Sequence, residues 1–285
     1  MKASFLPETS TRVLRAFSSL LFLFFLFAGF PPPSHAQFLA RGARSPALGG
    51  AGVGLLSDVW GAGNPASWAT VSRRSLSIFA SQGFGLSELA LGALQYLQPL
   101  PQGVLTLSAR SFGFEAHREN EAILGYARTF QVHSLRAISI GLRANWFHVS
   151  QASYGAASTV GLTLGIAFGI LPYLSAGFQA KHFNGPHLRK REPLEQSLSF
   201  GFSFHPSSAL ILVSDLIKVL HFPASLHIGM EWRPVQAIVL RHGVSSMPVR
   251  VTLGLGIERP HLACNLVFEK HEVLGWSPGA GISLF

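Results

Sequence analysis

The chain has 285 residues, of which 48% are hydrophobic and 12% charged, with a mean hydropathy of +0.34. Soluble domains carry about 25% charged residues, so the composition argues against a soluble domain and for apolar surface buried in lipid. A net charge of +9 would suit nucleic acid if it were clustered. The arginines are instead spread through strand-like runs, and an export signal also argues against that partner.

Residues 1–36 read as a cleavable signal peptide. Lys2, Arg12 and Arg15 are basic, and Ser19 to Phe30 is apolar but too short to span a bilayer. Pro31 to Pro33 end that stretch, and Ser34-His35-Ala36 puts small residues at a cleavage site before Gln37. No cysteine stands near the cut, which excludes a lipoprotein. The lone Cys264 has no disulfide partner and falls on the apolar side of its strand beside Leu262 and Leu266.

Residues 37–74 are rich in Gly and Ala and lack alternation. From residue 75 to 285 the pattern predicts fourteen strands, at 75–84, 86–97, 103–113, 121–130, 135–149, 157–170, 174–183, 197–205, 209–218, 225–233, 237–242, 249–258, 262–271 and 279–285. The second and ninth are ambiguous, and without them the count is twelve. The clearest run sets Val160, Leu162, Leu164, Ile166, Phe168 and Ile170 against Gly161, Thr163, Gly165, Ala167 and Gly169. Successive strand side chains point to opposite faces, so one face is apolar and the other small or polar. Repeated around a closed sheet with the apolar side outward, this predicts an all-β fold: a transmembrane antiparallel up-and-down β-barrel.

Connections after even-numbered strands are short, as at Leu171-Pro172 and Arg233-Pro234. Those after odd-numbered strands are longer and more polar, as at Phe114 to Asn120, Ser150 to Ala156 and Asn184 to Gln196. Outer-membrane barrels have short periplasmic turns and longer external loops, which puts both barrel ends in the periplasm. Aromatics sort into two belts, with Tyr96, Phe130, Tyr173, Phe204 and Trp232 at the turn end and Phe84, Trp146, Phe183 and Trp276 at the loop end. Phe285 closes the last strand and resembles the terminal aromatic that the barrel-assembly machinery reads.

Arg44-Ser45-Pro46-Ala47-Leu48-Gly49-Gly50-Ala51-Gly52-Val53-Gly54, then Asp58, then Asn64-Pro65-Ala66 resembles the opening of FadL- and PorV-type outer-membrane proteins. The resemblance implies a fourteen-stranded barrel plugged by its N-terminal segment, with Gly49, Gly50, Asn64, Pro65 and Ala66 as the plug motif. The Asn-Pro pair also has a local reason, because Asn is a good N-cap and Pro suits the first helical position. Gly49 to Gly54 does not match a phosphate loop. The chain departs from the family in its length and in lacking long helical external loops, which form the hydrophobic-ligand entrance in the fatty-acid transporters.

With the apolar face outward, the lumen receives Arg110, Arg143, Asn145, Gln179, Lys181, Glu231, Arg233, Arg241, Arg250, Glu258, Asn265 and Glu269. Arg110, Arg143, Lys181, Arg241 and Arg250 are the candidate ligand contacts, a basic interior suited to an anion or a carboxylate. The alternative is an internal network of ion pairs that fills the barrel and anchors the plug. His117, His148, His182, His187, His221, His242 and His271 fall near predicted external ends, either as a metal- or pH-sensing rim or as scattered interfacial residues. The basic run His187 to Arg191 reads as a loop near anionic headgroups. No G-x-S-x-G or H-E-x-x-H occurs, and no catalytic residue, cofactor or metal is called for.

The expected function is transport or secretion across the outer membrane, with envelope or secretion-system proteins as partners beside the membrane lipid. A passive channel for small hydrophobic molecules is the alternative, and a structural barrel or a barrel enzyme stands behind both. Unheated protein is expected to migrate faster on a denaturing gel than boiled protein and to fractionate with the outer membrane. Recovery as a soluble periplasmic protein would overturn the barrel.

Overall fold

The computed structural model describes residues 42–285, apart from 62, 134, 135, 154, 190 and 191. The expected signal peptide lies outside the described residues. Fourteen strands close into one antiparallel barrel. In chain order they begin with β1 (Ser75–Gln82), β2 (Ala90–Leu100), β3 (Gly103–Phe114), β4 (His117–His133), β5 (Arg136–Gln151), β6 (Gly155–Leu171) and β7 (Leu174–Lys181). A separate ribbon of β8 (His187–Arg189) and β9 (Glu192–Pro193) follows. The wall resumes with β10 (Ser197–Ser207), β11 (Leu210–Val219), β12 (Ala224–Val235), β13 (Ile238–Ser246), β14 (Val249–Glu258), β15 (Leu262–His271) and β16 (Gly275–Leu284). β1 pairs with β16 from Leu76↔Leu284 to Ser81↔Gly279, which leaves no open edge to be satisfied by lipid.

Every predicted strand has its counterpart, so the count is fourteen. The two ambiguous ones are β2 and β11, and both are apolar on both faces. Leu91, Ala93 and Leu97 of β2 point inward and are buried, while Leu94 and Tyr96 are exposed outside. Val213 of β11 is buried inside and Leu216 exposed outside. No helix among the described residues is long and apolar enough to cross a membrane. Outside, Tyr96, Phe130, Tyr173 and Trp232 are exposed at the turn end, and Trp146, Phe183 and Trp276 at the loop end.

The connections at the loop end differ from expectation. β3 and β4 run on through the predicted loop and turn at residues 115 and 116, and β5 and β6 reach Gln151 and Gly155. Glu119, Asn120 and Ser150 lie beyond the apolar band, where the outward face turns polar, with Ser111, Asn120 and His148 in register, and the alternation is lost although the ladder continues. Residues 184–196 hold the β8–β9 ribbon rather than a plain loop.

Residues 42–74 run inside the barrel. Arg44–Ala47 forms a short helix and Pro65–Thr70 a 3₁₀ turn. Asn64 caps that turn by accepting from the Ala66 N–H at 3.0 Å. Its Nδ2 donates to the carbonyls of Val53 at 3.0 Å and of Ile166, in the wall, at 2.8 Å. The segment lies against bare wall backbone. A Cβ on Gly229 would stand 2.6 Å from the Leu48 carbonyl oxygen, and Cβ atoms on Gly141, Gly177 and Gly243 would collide with Pro65, Val53 and Gly49. Gly177 pairs with Gly201, Gly141 with Gly165, and Gly229 with Gly243, so the small inward face forms a track around the lumen.

Gly177→Val is expected to cost about 1–3 kcal/mol by overpacking and to expose residues 42–74 to added protease. Gly92→Val, whose new side chain meets open space, is expected to leave both the urea midpoint and the protection unchanged.

Candidate functional site

The inner segment is fastened to the wall by polar contacts from strands far apart in sequence. Glu231 of β12, fully buried, accepts from Arg44 Nε at 2.9 Å, Arg233 Nη2 at 2.8 Å and Arg241 Nε at 2.8 Å. Glu258 bridges the two wall arginines, at 2.9 Å from Arg233 and 2.8 Å from Arg241. Arg241 also donates to Asn265 Oδ1 at 2.7 Å, and Asp58 lies 4.0 Å from Arg44. Burial opposes the charge on Arg44, but Glu231 and Asp58 outweigh it and raise its pKa above the ordinary guanidinium value. Three arginines against three carboxylates leave the cluster neutral.

A second fastening lies deeper. Asp215 of β11, 1% exposed, accepts the backbone N–H of Gly52 at 2.7 Å and of Val53 at 2.9 Å. Thr252 Oγ1 accepts from the Gly49 N–H at 3.0 Å and donates to the Ala47 carbonyl at 3.1 Å. His227 Nδ1 sits 2.6 Å from the Gly49 carbonyl oxygen. Asp215, Thr252 and His227 were not among the expected lumen residues. One signal could have found Asp215: a lone carboxylate within Leu210 to Val219, at a depth where a charge must turn inward to a partner.

Two cavities flank the inner segment. At the loop end a cup of about 210 Å³ is bounded by Gly49, Gly50 and Val53, by serines including Ser197 and Ser199, and by Phe79 and Val267. Lys181–Glu195 and Arg250–Glu269, each 2.8 Å apart, lie in its wall. At the turn end a vestibule of about 400 Å³ is bounded by Ala43, Arg44, Trp60, Arg233 and Arg241 and reaches Phe285.

Among the five expected ligand contacts, Arg110, Lys181, Arg241 and Arg250 stand in ion pairs. Arg110 lies 3.1 Å from Glu121, Lys181 and Arg250 are paired in the cup, and Arg241 sits in the Glu231 cluster. Arg143 points inward between Gly125 and Thr163. Lys181 and Arg250 share the cup, Arg241 lines the vestibule, and Arg110 lines neither. The motif residues Gly49 and Gly50 line the cup, while Asn64, Pro65 and Ala66 are buried between segment and wall. The seven rim histidines are not gathered. His242 lies within β13 opposite Met230 and Leu253, and His148 stacks on Trp146. Among the described residues no three His, Cys, Asp or Glu are grouped to hold a metal.

No family model and no curated protein matches the sequence, whereas solved structures do. The monoaromatic hydrocarbon channel CymD aligns with a TM-score of 0.62 and 14% identity, over 85% of this chain and 96% of its own. The toluene transporter TbuX of Ralstonia pickettii gives a TM-score of 0.62 at 11% identity, over 85% and 96%. The toluene transporter TodX of Pseudomonas putida gives 0.60 at 12%, over 89% and 97%. The chain has the FadL-type barrel fold. At these identities the likeness is one of backbone, and the side chains facing the lumen are this chain's own.

In this FadL-type barrel His182, in the connection after β7, is 3% exposed. Its Nδ1 lies 2.8 Å from the Glu195 carbonyl oxygen and its ring meets Phe147 edge-on. Burial pushes its pKa down to about 3, with Lys181 and Arg143 adding to the shift against the opposing Glu195. An unfolded histidine takes up its proton near pH 6.5, whereas the folded one refuses it until about 3. Stability is therefore lost as pH falls through that window. The drop in urea midpoint between neutral and acid pH is expected to be smaller in His182→Gln than in the parent protein.

Glu231→Gln would leave three guanidinium groups, Arg241 among them buried, one carboxylate short, and is expected to cost about 3–5 kcal/mol. The measurement is the urea midpoint in detergent, with protease release of residues 42–74 as the readout of the fastening.

Proposed function

We propose that the protein is a passive outer-membrane channel for small hydrophobic molecules, closed in its resting state by residues 42–74 acting as a plug. The observation that carries this reading is the pair of cavities, one toward each end of the lumen, with residues of the inner segment lining both. The similar structures named above are hydrocarbon channels, which supports a transport role over an enzymatic one. The outward apolar face with aromatics at both ends supports an outer-membrane location. On this reading the turn end lies in the periplasm, and Phe285 is presented there to the assembly machinery. The cations Arg110, Lys181, Arg241 and Arg250 serve chiefly as partners of internal carboxylates, which favours an uncharged cargo over an anion. A secretion role with an envelope partner draws no comparable support from the lumen or from the similar structures.

Cells carrying the protein in an otherwise intact outer membrane are expected to take up naphthalene faster than cells without it. Equal rates, alongside co-purification of a stoichiometric envelope protein in mild detergent, would favour the secretion role instead.

A further inference from the structure

The inner segment does not press equally on all sides. Along β4 to β14 it meets glycine backbone, the charged cluster and, at Val213 of β11 and Ala127 of β4, apolar side chains. Along the seam where β1 meets β16, contact passes to apolar side chains. Phe79 of β1 is 3% exposed and packs with Ala43, Ala47, Leu91, Ala93 and Val267. Its register neighbours are Gly281 on one side and Ala93 on the other, so the ring has room. Cβ atoms built on Gly279 and Gly281 would stand 3.1 Å and 3.4 Å from that ring, which therefore spans two levels of the wall.

Those two levels belong to different cavities. Phe79, Val267 and Gly279 border the cup, whereas Gly281, Ala43 and Trp60 border the vestibule. Phe79 and Trp60 meet edge to face with centroids 6.3 Å apart and planes at 71°. An edge-to-face aromatic contact adds little beyond the area it buries. On the opposite wall the segment is held instead by charge-assisted hydrogen bonds to Glu231 and Asp215. Among the described residues no ion pair ties the segment to the seam; its polar tie there is Gln95 of β2, which donates to the Val59 carbonyl oxygen.

We propose that the conduit runs down the β15–β16–β1–β2 seam, and that Phe79 and Trp60 form an apolar subsite and gate for an uncharged, flat molecule about one or two aromatic rings in size. The molecule replaces the Phe79–Trp60 contact with its own faces and passes from cup to vestibule while the Arg44–Glu231 fastening stays made. A charged solute would have to leave its water among Phe79, Leu91, Ala93 and Val267 without a partner, and is rejected. This proposal rests on the channel reading and names its route and cargo class.

The test is naphthalene uptake by cells carrying the full-length protein, with heat-modifiable gel migration confirming that each variant is folded. Phe79→Ala and Trp60→Ala are each expected to raise the rate several-fold, and Phe79→Trp to lower it. Phe147→Ala, which removes an inward aromatic from β5 across the lumen, is expected to leave it unchanged. Phe79→Leu keeps the site filled should the alanine variant fail to fold, and is expected to give an intermediate rise. If the parent protein carries naphthalene but the Phe79 and Trp60 variants match it, the seam route is overturned and the channel reading stands. If neither parent nor variants exceed cells lacking the protein, the channel reading falls and the seam route with it.

Discussion

Backbone laid directly on backbone is the constraint on which the interior depends. The inner segment crosses the wall at a separation that admits no side chain, so Gly141, Gly177, Gly229 and Gly243 stand where they do because any Cβ would meet Pro65, Val53, Leu48 or Gly49. That contact sets how deep the segment sits, and its depth sets what is left over. A cup remains above it, a vestibule below, and a seam at the side where the glycine track gives way to Phe79. The polar fastenings are consequences of the same placement. Asp215 reaches the Gly52 and Val53 amides because Gly201 beside it leaves the space.

The wall was legible in the sequence and the lumen only in part, for a physical reason. Lipid is a uniform solvent, so every outward position answers to one rule, and the run from Val160 to Ile170 states it openly. Inward positions answer to one particular neighbour. Small residues such as Gly165 and Gly177 could be read as small but not as complementary to Asn64 and Val53, because complementarity needs the register of both partners. The two strands that blurred the count, β2 and β11, did so because their inward faces are largely apolar, and those faces border Trp68 and Leu48 in local cores. Asp215 could not be assigned to the lumen because β11, largely apolar on both faces, did not show which face turned inward. The loop-end boundaries were missed where lipid no longer sorts the two faces.

Charge in the lumen is plentiful but matched. The Glu231 cluster joins Arg44 of the inner segment to three strands late in the chain, and its arginines and carboxylates balance. Buried ion pairs of this kind seldom add much net stability over an apolar core, because desolvation opposes the attraction. They do fix one arrangement, since each guanidinium must find its carboxylate. The lumen thus divides into a side that specifies position through charge and a side held mainly by apolar packing.

The place of Phe79 on the first strand bears on how the molecule is assembled. β1 acquires its second neighbour only when β16, the last strand, arrives. Arg44 likewise cannot meet Glu231, 187 residues later, until β12 exists. Contacts of such long sequence separation form late, because the loop between them must close first. The seam is therefore the final joint of the wall. Joining it completes the cylinder and sets Phe79 beside Gly281, so a half-built barrel has neither a continuous wall nor a gate, and both come into being in one step.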